Sequence, residues 1–568
     1  MKKKLRSTFE LGSARWALRR AEWGVLGVTE EDMEKPKIAI VNSSSDLAAC
    51  FAHLDGIAAK MKEAIRSAGG VPFEVRTAAP VDFVTSAGHR GGYILSARDL
   101  IVNDIEVAVE GAMLDGMVCL VSCDKTVPGQ LMAAGRLNIP TIVVACGYQP
   151  SGRYRGEHMD IEDLWINAVH RETGRNQITV SELNEMSENA ILGPGVCAGM
   201  GTANTMHIVC EALGMALPGS TPVLANSPKM WNTVRQAGER IVQMVWDDDL
   251  KPRDILTPEA FANAVMVVLS VSGSINSVKH LQALAKEAQC EVDVYRLFEQ
   301  YADNIPLLSA IRPNGEHTIE EFEASGGARA VMKQLERFLC KNAMTVTGQT
   351  VEENLRNAVV ANEEIIRPVD RALAERPSIV LVRGSLSPDT GIVKLAVADD
   401  RKLQFTGPAI VFNSTQEAVD AVNKDEVKPG QVVVLRGLGP KGTPGMGVVT
   451  ALVFALDGKG LGEQVALVHD GQQSGLSNKG IVVAEVSPEA ADGGPMSLVE
   501  NGDMISIDVE KRFVNLDVPE SELAVRRSRL ENKPVTDERG WLAIYRRLVQ
   551  PLPQSGGILA DHRMEAIK

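Results

Sequence analysis

The chain has 568 residues, with 59 Lys and Arg against 73 Asp and Glu, so its formal net charge is −14. That balance excludes a concentrated basic surface and with it a role built on gripping nucleic-acid phosphates. No apolar run approaches the roughly 18 residues of a membrane span, and 45% hydrophobic with 23% charged residues describes a folded chain long enough for roughly two to four domains.

The amino terminus, Met1-Lys-Lys-Lys-Leu-Arg6, is basic but is followed by Ser-Thr-Phe-Glu-Leu-Gly rather than an apolar segment, which predicts a cytoplasmic protein. In that compartment the eight cysteines are expected to stay as thiols or to bind metal. Short apolar runs at 38–42, 117–121 and 141–146 read as strands, and 54–68 and 204–217 as helices, with a helical region from about 258 to 339. This alternation predicts an α/β protein whose first domain, 1–375, holds a parallel or mixed sheet. A charged helix over about 352–375 is expected to bridge to a second domain, 376–568. There, strand-like runs at 379–382, 392–397, 409–412, 431–435, 465–468 and 504–509, separated by Gly, Pro, Asp and Asn, predict a β-rich, barrel-like fold.

The strand at 117–121 runs into Ser122-Cys-Asp-Lys-Thr-Val-Pro-Gly129, which places a thiol, a carboxylate and an amine at the end of a strand. Ligands in open α/β sheets sit beyond the carboxyl ends of strands, so Cys123, Asp124 and Lys125 are candidates for one polar site, with Pro128-Gly129 expected to turn the chain before the next helix. Cys50 and Cys197 occupy similar Ser-, Ala- and Gly-rich turns. Thiolate sulfur is the preferred ligand of iron–sulfur clusters, and three thiolates leave one iron corner open to act as a Lewis acid. The intervals between these cysteines match no local metal motif.

Val121 to Pro140 and Gly195-Val-Cys-Ala-Gly-Met-Gly-Thr-Ala-Asn-Thr-Met206 resemble the signatures of the dihydroxy-acid dehydratase and 6-phosphogluconate dehydratase family, which includes sugar-acid dehydratases. The likeness continues through Glu211 to Ser220, Gly273 to Leu281, Gly439 to Met446 and Ser487 to Pro495. The resemblance implies a hydro-lyase that converts a 2,3-dihydroxy acid or sugar acid into a 2-keto acid. It places Cys50, Cys123 and Cys197 on the three ligands of an iron–sulfur cluster, [2Fe-2S] in preference to [4Fe-4S]. It places Asp82, Asp124 and a carbamylated Lys125 on a magnesium ion, and Ser474, in Asp470-Gly-Gln-Gln-Ser-Gly475, on the base that takes the C2 proton. The implied partner is a small hydroxy acid, and the implied assembly a homodimer or homotetramer.

Three departures from the family pattern fall near this chemistry. Val448 stands where the family has a magnesium-binding glutamate, Gln472 and Gln473 replace an Arg-Phe pair, and Ala484-Glu485 replace Gly-His. One expectation joins the first and third: Glu485 supplies the carboxylate lost at Val448. The alternative is a relative with lost or changed activity that keeps the cluster as a structural or redox-sensing element. Lys394 and the loop 437–442 are further candidates to meet an acidic substrate.

Overall fold

A computed structural model describes residues 4–248, 250–395, 403–473, 480–530 and 539–558. The first half is built on a four-stranded parallel sheet of β1 (Lys37–Asn42), β2 (Val71–Arg76), β3 (Gly116–Val121) and β4 (Thr141–Ala145), in the order β2-β1-β3-β4. Strands β1, β3 and β4 are buried along their whole length, as expected of a sheet covered by helices on both faces. From β1 the chain winds outward to β2, and from β3 it winds the other way to β4. The two halves of the winding therefore part between β1 and β3, and a crevice opens beyond their carboxyl ends.

The helix Thr126–Leu137 begins three residues after Cys123, one turn earlier than the expected break at Pro128-Gly129. Proline is tolerated in a first helical turn because the N–H it lacks has no partner there. Gly129 is instead a packing residue: a Cβ there would lie 2.9 Å from the Arg98 carbonyl oxygen of the neighbouring helix Tyr93–Gly111. After β4 comes a small hairpin, β5 (Gly152–Tyr154) and β6 (Glu157–Met159), followed by the helices Ile161–Glu172 and Val180–Ala190. The helix expected over 204–217 spans Thr202–Ala212 and stops before Gly214, whose φ is +82°.

The bridging helix expected over 352–375 does not form. Only Val351–Leu355 is helical, with a 3-10 turn at Val369–Arg371. Between them the Asn362 side chain accepts from the Glu364 N–H, a local bond that competes with the helix, and Pro368 removes a donor.

The second half forms an eight-stranded sheet of β7 (Ile379–Val382), β8 (Thr390–Lys394), β9 (Gln404–Phe412), β10 (Val432–Leu435), β11 (Ala466–His469), β12 (Ile481–Ser487), β13 (Met504–Asp508) and β14 (Phe513–Leu516). The order is β14-β13-β9-β10-β11-β12-β8-β7, and a bridge between Arg383 and Phe513 links the two outer strands into a nearly closed barrel. Strands β9 to β12 run parallel, joined by the helices Thr415–Asn423 and Thr450–Gly458. Closure of this kind leaves little exposed edge.

A segment from 539 to 558 returns to the first half. There the Arg98 guanidinium donates to the Gly556 carbonyl (2.7 Å) and the Ile558 N–H to Asp99 (2.8 Å), with Arg98 and Asp99 fully buried.

Candidate active site

The crevice at the carboxyl ends of β1 and β3 is a cavity of about 480 Å3. Cys50 reaches it from the loop after β1 and Cys123 from the end of β3. Cys197 comes from a loop drawn against the segment after β4 by a bridge between Tyr148 and Val196. That approach depends on Gly195: its φ is +125°, and a Cβ would sit 2.4 Å from the Tyr148 carbonyl carbon. The cysteine loops are tied to one another, since the Ser122 hydroxyl donates to the Cys50 carbonyl (2.5 Å), His207 Nε2 to the Ser122 carbonyl (2.9 Å), and the Asn204 amide to the Cys197 carbonyl (2.9 Å). Burial lowers the His207 imidazole to about 4, so it is neutral and serves as a fixed donor.

The Cys123 thiol is held well above the ordinary thiol range by its hydrogen bond with Cys50 and by burial. Cys197 is raised by burial and by the nearby charges of Asp124, Cys50, Asp160 and Glu162. Buried thiols lining one cavity become thiolates when positive charge is delivered among them, which is what iron ligation does.

Asp82 and Asp124 line the same cavity. Burial and the neighbouring Asp82 raise Asp124 to about 7, the two carboxylates sharing a hydrogen bond. Lys125 is completely buried beneath them, its Nζ 3.4 Å from Asp82 and 3.7 Å from Asp124. Burial alone would lower this amine, but Asp82, Asp124 and Cys123 outweigh it and hold its pKa above the ordinary value. One oxygen of Asp82, Oδ1, is buried without a hydrogen-bond partner among the described residues. Two acidic side chains and an unused oxygen suit a hard divalent cation, and the three thiols suit iron, so the donor sets expected from the sequence fit these groups.

Val448 and Gln472 line the cavity from the barrel side, paired by a parallel bridge, and Gln473 turns away to accept from His469 Nε2 (3.0 Å). Ser474 lies outside the described residues. Lys394 does not line the cavity; its ammonium is buried and donates to the carbonyls of Ser272 and Gly273, both at 2.5 Å. The loop 437–442 is held by Asp470, which accepts from the N–H groups of Gly437 (3.0 Å) and Leu438 (2.8 Å), and by Glu489.

Two family models cover almost the whole chain: dihydroxy-acid/6-phosphogluconate dehydratase N-terminal over residues 35–354, and dihydroxy-acid/6-phosphogluconate dehydratase C-terminal over 364–556. The chain belongs to this dehydratase family. It is similar to the dihydroxy-acid dehydratase of Ignicoccus hospitalis, 38% identical over 548 residues that cover 96% of this chain and 98% of the relative. The dihydroxy-acid dehydratases of Caldicellulosiruptor bescii and Methanococcoides burtonii are each 39% identical. Their alignments cover 96% and 95% of this chain, and 98% and 97% of the relatives. The protein is by family a dehydratase, a hydro-lyase.

Glu485 occupies a bulge in β12 at φ +55°, and its carboxylate meets Lys279 of the helix Asn276–Glu287. Both side chains are buried and neither lines the cavity. Lys279 also donates to Asn276 Oδ1, the Asn276 amide donates to Thr202 Oγ1 (2.9 Å), and Thr202 lines the cavity with Asp124 and lowers its pKa. Asn276 and Lys279 lie in the segment Gly273 to Leu281 that resembles the family, and its sequence alone assigns neither a contact. Gln149, Glu162 and Trp165 also line the dehydratase cavity, and no sequence signal pointed to them.

Proposed function

We propose that this dehydratase removes water from a 2,3-dihydroxy acid or sugar acid to give the 2-keto acid, in the cytoplasm, as a homodimer or homotetramer. The observation that carries the reading is the convergence of Cys50, Cys123 and Cys197 with Asp82 and Asp124 on one cavity, with Lys125 beneath it. Cys50, Cys123 and Cys197 are the residues that would hold an iron–sulfur cluster, [2Fe-2S] in preference to [4Fe-4S], which would supply Lewis acidity toward the 3-hydroxyl. Asp82, Asp124 and Lys125 are the residues that would hold magnesium; carbamylation would convert the Lys125 amine from a cation into an oxygen donor. The first part of the chain, 1–375, carries these residues, and the second, 376–568, brings Ser474 to take the C2 proton. Loss of that proton and of the 3-hydroxyl yields an enol, which tautomerises to the keto acid. Glu485 is a positioning residue in this reading, acting on Asp124 through Lys279, Asn276 and Thr202. A carboxylate from Glu485 on the metal itself would require that ion pair to open.

Anaerobic purification with iron and sulfide analysis, followed by a keto-acid assay over aldonic and dihydroxy acids, tests the proposal. Turnover that Ser474→Ala abolishes supports it. Val448, which offers no oxygen ligand, favours a second reading in which the cluster is retained without catalysis. Cluster present with no turnover on any acid would establish that reading in place of the first.

A further inference from the structure

The helix Ile161–Glu172 opens with a capping box: Asp160 accepts from the N–H groups of Glu162 (2.8 Å) and Asp163 (3.0 Å), and Asp163 in return accepts from the Asp160 N–H (3.1 Å). His158 adds its ring nitrogen to Asp160 (3.1 Å), and Arg312 reaches Asp163 (3.3 Å). These contacts account for three of the four polar side chains at this helix start and leave Glu162 over. Glu162 is 7% exposed, lines the cavity, and holds its Oε1 buried with no hydrogen-bond partner among the described residues.

A second orphan lines the same cavity. Gln149 is 2% exposed, and its backbone N–H is bonded to the Val196 carbonyl (2.8 Å), which seats it beside Cys197. Its amide nitrogen Nε2 faces no acceptor among the described residues, and it too lines the cavity. Glu162, Gln149 and Cys197 all line this one cavity. Around them the wall is apolar, with Ile161, Ile191 and Trp165. Buried polar groups of a folded protein are paired, so a carboxyl oxygen and an amide N–H left open in one cavity call for a ligand that both donates and accepts.

We propose that Glu162 and Gln149 form a subsite for a hydroxyl group of the substrate beyond the two carbons that take part in water loss, so that this dehydratase selects polyhydroxylated acids over dihydroxy acids with an alkyl end. A hydroxyl fits because it offers one proton and two lone pairs, and a methyl group would leave both wall groups unpaired. Burial together with Asp160 and Asp163 raises the Glu162 carboxyl well above the ordinary range, and its open oxygen is an acceptor for the hydroxyl proton while the Gln149 amide donates to the hydroxyl oxygen. The subsite rests on the proposed water-loss reaction for its substrate and on the cavity wall for its selectivity.

The test compares a six-carbon aldonate with a 2,3-dihydroxy acid that has a plain alkyl end, using anaerobically purified full-length protein. Two measurements are made: kcat/KM for each, and calorimetric binding of the matching acids that lack the 3-hydroxyl and cannot react. The wild-type protein is expected to favour the hydroxylated acids by about tenfold or more in both measurements. Sites built to pair a substrate hydroxyl reject its absence strongly. Glu162→Leu should remove that preference, while Glu162→Gln, which keeps an acceptor oxygen on a side chain of the same shape, should stay within about threefold of wild type. Gln149→Leu is the second variant, expected to weaken the hydroxylated acids alone. Equal binding of both acids by the wild type, or an equal loss for both in Glu162→Leu with Glu162→Gln also impaired, overturns the subsite. A Glu162-dependent binding preference with no water loss from either acid overturns the proposed reaction and leaves the subsite standing.

Discussion

Substituting Glu485 with Gln leaves Lys279 buried without its counter-charge. Breaking a buried pair in this way ordinarily costs about 3–5 kcal/mol, because the remaining charge has no solvent and no partner. Lys279 has an escape: burial, only partly offset by Glu485, lowers its pKa from 10.5 to about 8 even with the pair intact. At pH 7 the ammonium is one pH unit from releasing its proton, so deprotonation caps the loss at about 1.4 kcal/mol. At pH 5.5 the gap is 2.5 units and the cap rises to about 3.4 kcal/mol, and at pH 9 the amine is already neutral and the deficit vanishes. In the wild type the Lys279 titration itself falls in a higher window. The native pKa lies below the unfolded one, so the unfolded chain holds more protons between pH 8 and 10.5, and stability rises with pH there. Thermal midpoints and urea transitions of wild type and Glu485→Gln at pH 5.5, 7 and 9 read this directly. A Lys279→Met, Glu485→Leu double variant should recover most of the acid-side loss. A deficit that is the same at all three pH values, or larger at pH 9, would refute the assignment of Lys279 as a buried ammonium held by Glu485.

Replacing Cys50, Cys123 or Cys197 singly with Ser is expected to reduce bound iron to a small fraction of wild type, measured colorimetrically after anaerobic purification, whereas Cys119→Ser, deep in β3, should keep its iron. Lys394→Met should show the opposite pH trend to Glu485→Gln. Burial lowers Lys394 to about 7, so the wild type gains stability relative to the variant as pH rises from 7, by about 2.7 kcal/mol at pH 9. Urea midpoints at pH 6 and 9 give the comparison. Glu211→Leu removes the acceptor of the Gly219 N–H (2.6 Å), the Thr221 N–H (3.0 Å) and the Thr221 hydroxyl (2.8 Å). The expected loss of about 2–4 kcal/mol follows from several donors left unpaired, and faster proteolysis near residues 217–222 should report it.

The parallel sheet and the barrel strands were legible because continuous Val, Ile and Leu runs bounded by turn residues are a strand signal that tertiary context rarely reverses. Ile379–Val382 is found where the pattern placed it. The bridge over 352–375 misled because charge at helical spacing says nothing about whether Asn362 and Pro368 permit the helix. Cys50, Cys123 and Cys197 were singled out by their turn-like settings, yet their convergence depends on strand order and on Gly195, neither of which spacing reveals. Glu162 was invisible for a different reason. In sequence it is one acid among three, and only the capping box that occupies its neighbours shows that it has been left without a partner.

The return of the 539–558 segment to Arg98 and Asp99 sets a timetable for biosynthesis. Asp99 waits for the Ile558 N–H across 459 residues of chain, an interval of roughly 20–90 s at ribosomal elongation rates. Throughout that time the emerging amino-terminal half carries an ion pair whose last hydrogen-bond partners have yet to be translated. Its consolidation is thus deferred until the carboxyl-terminal segment has left the exit tunnel.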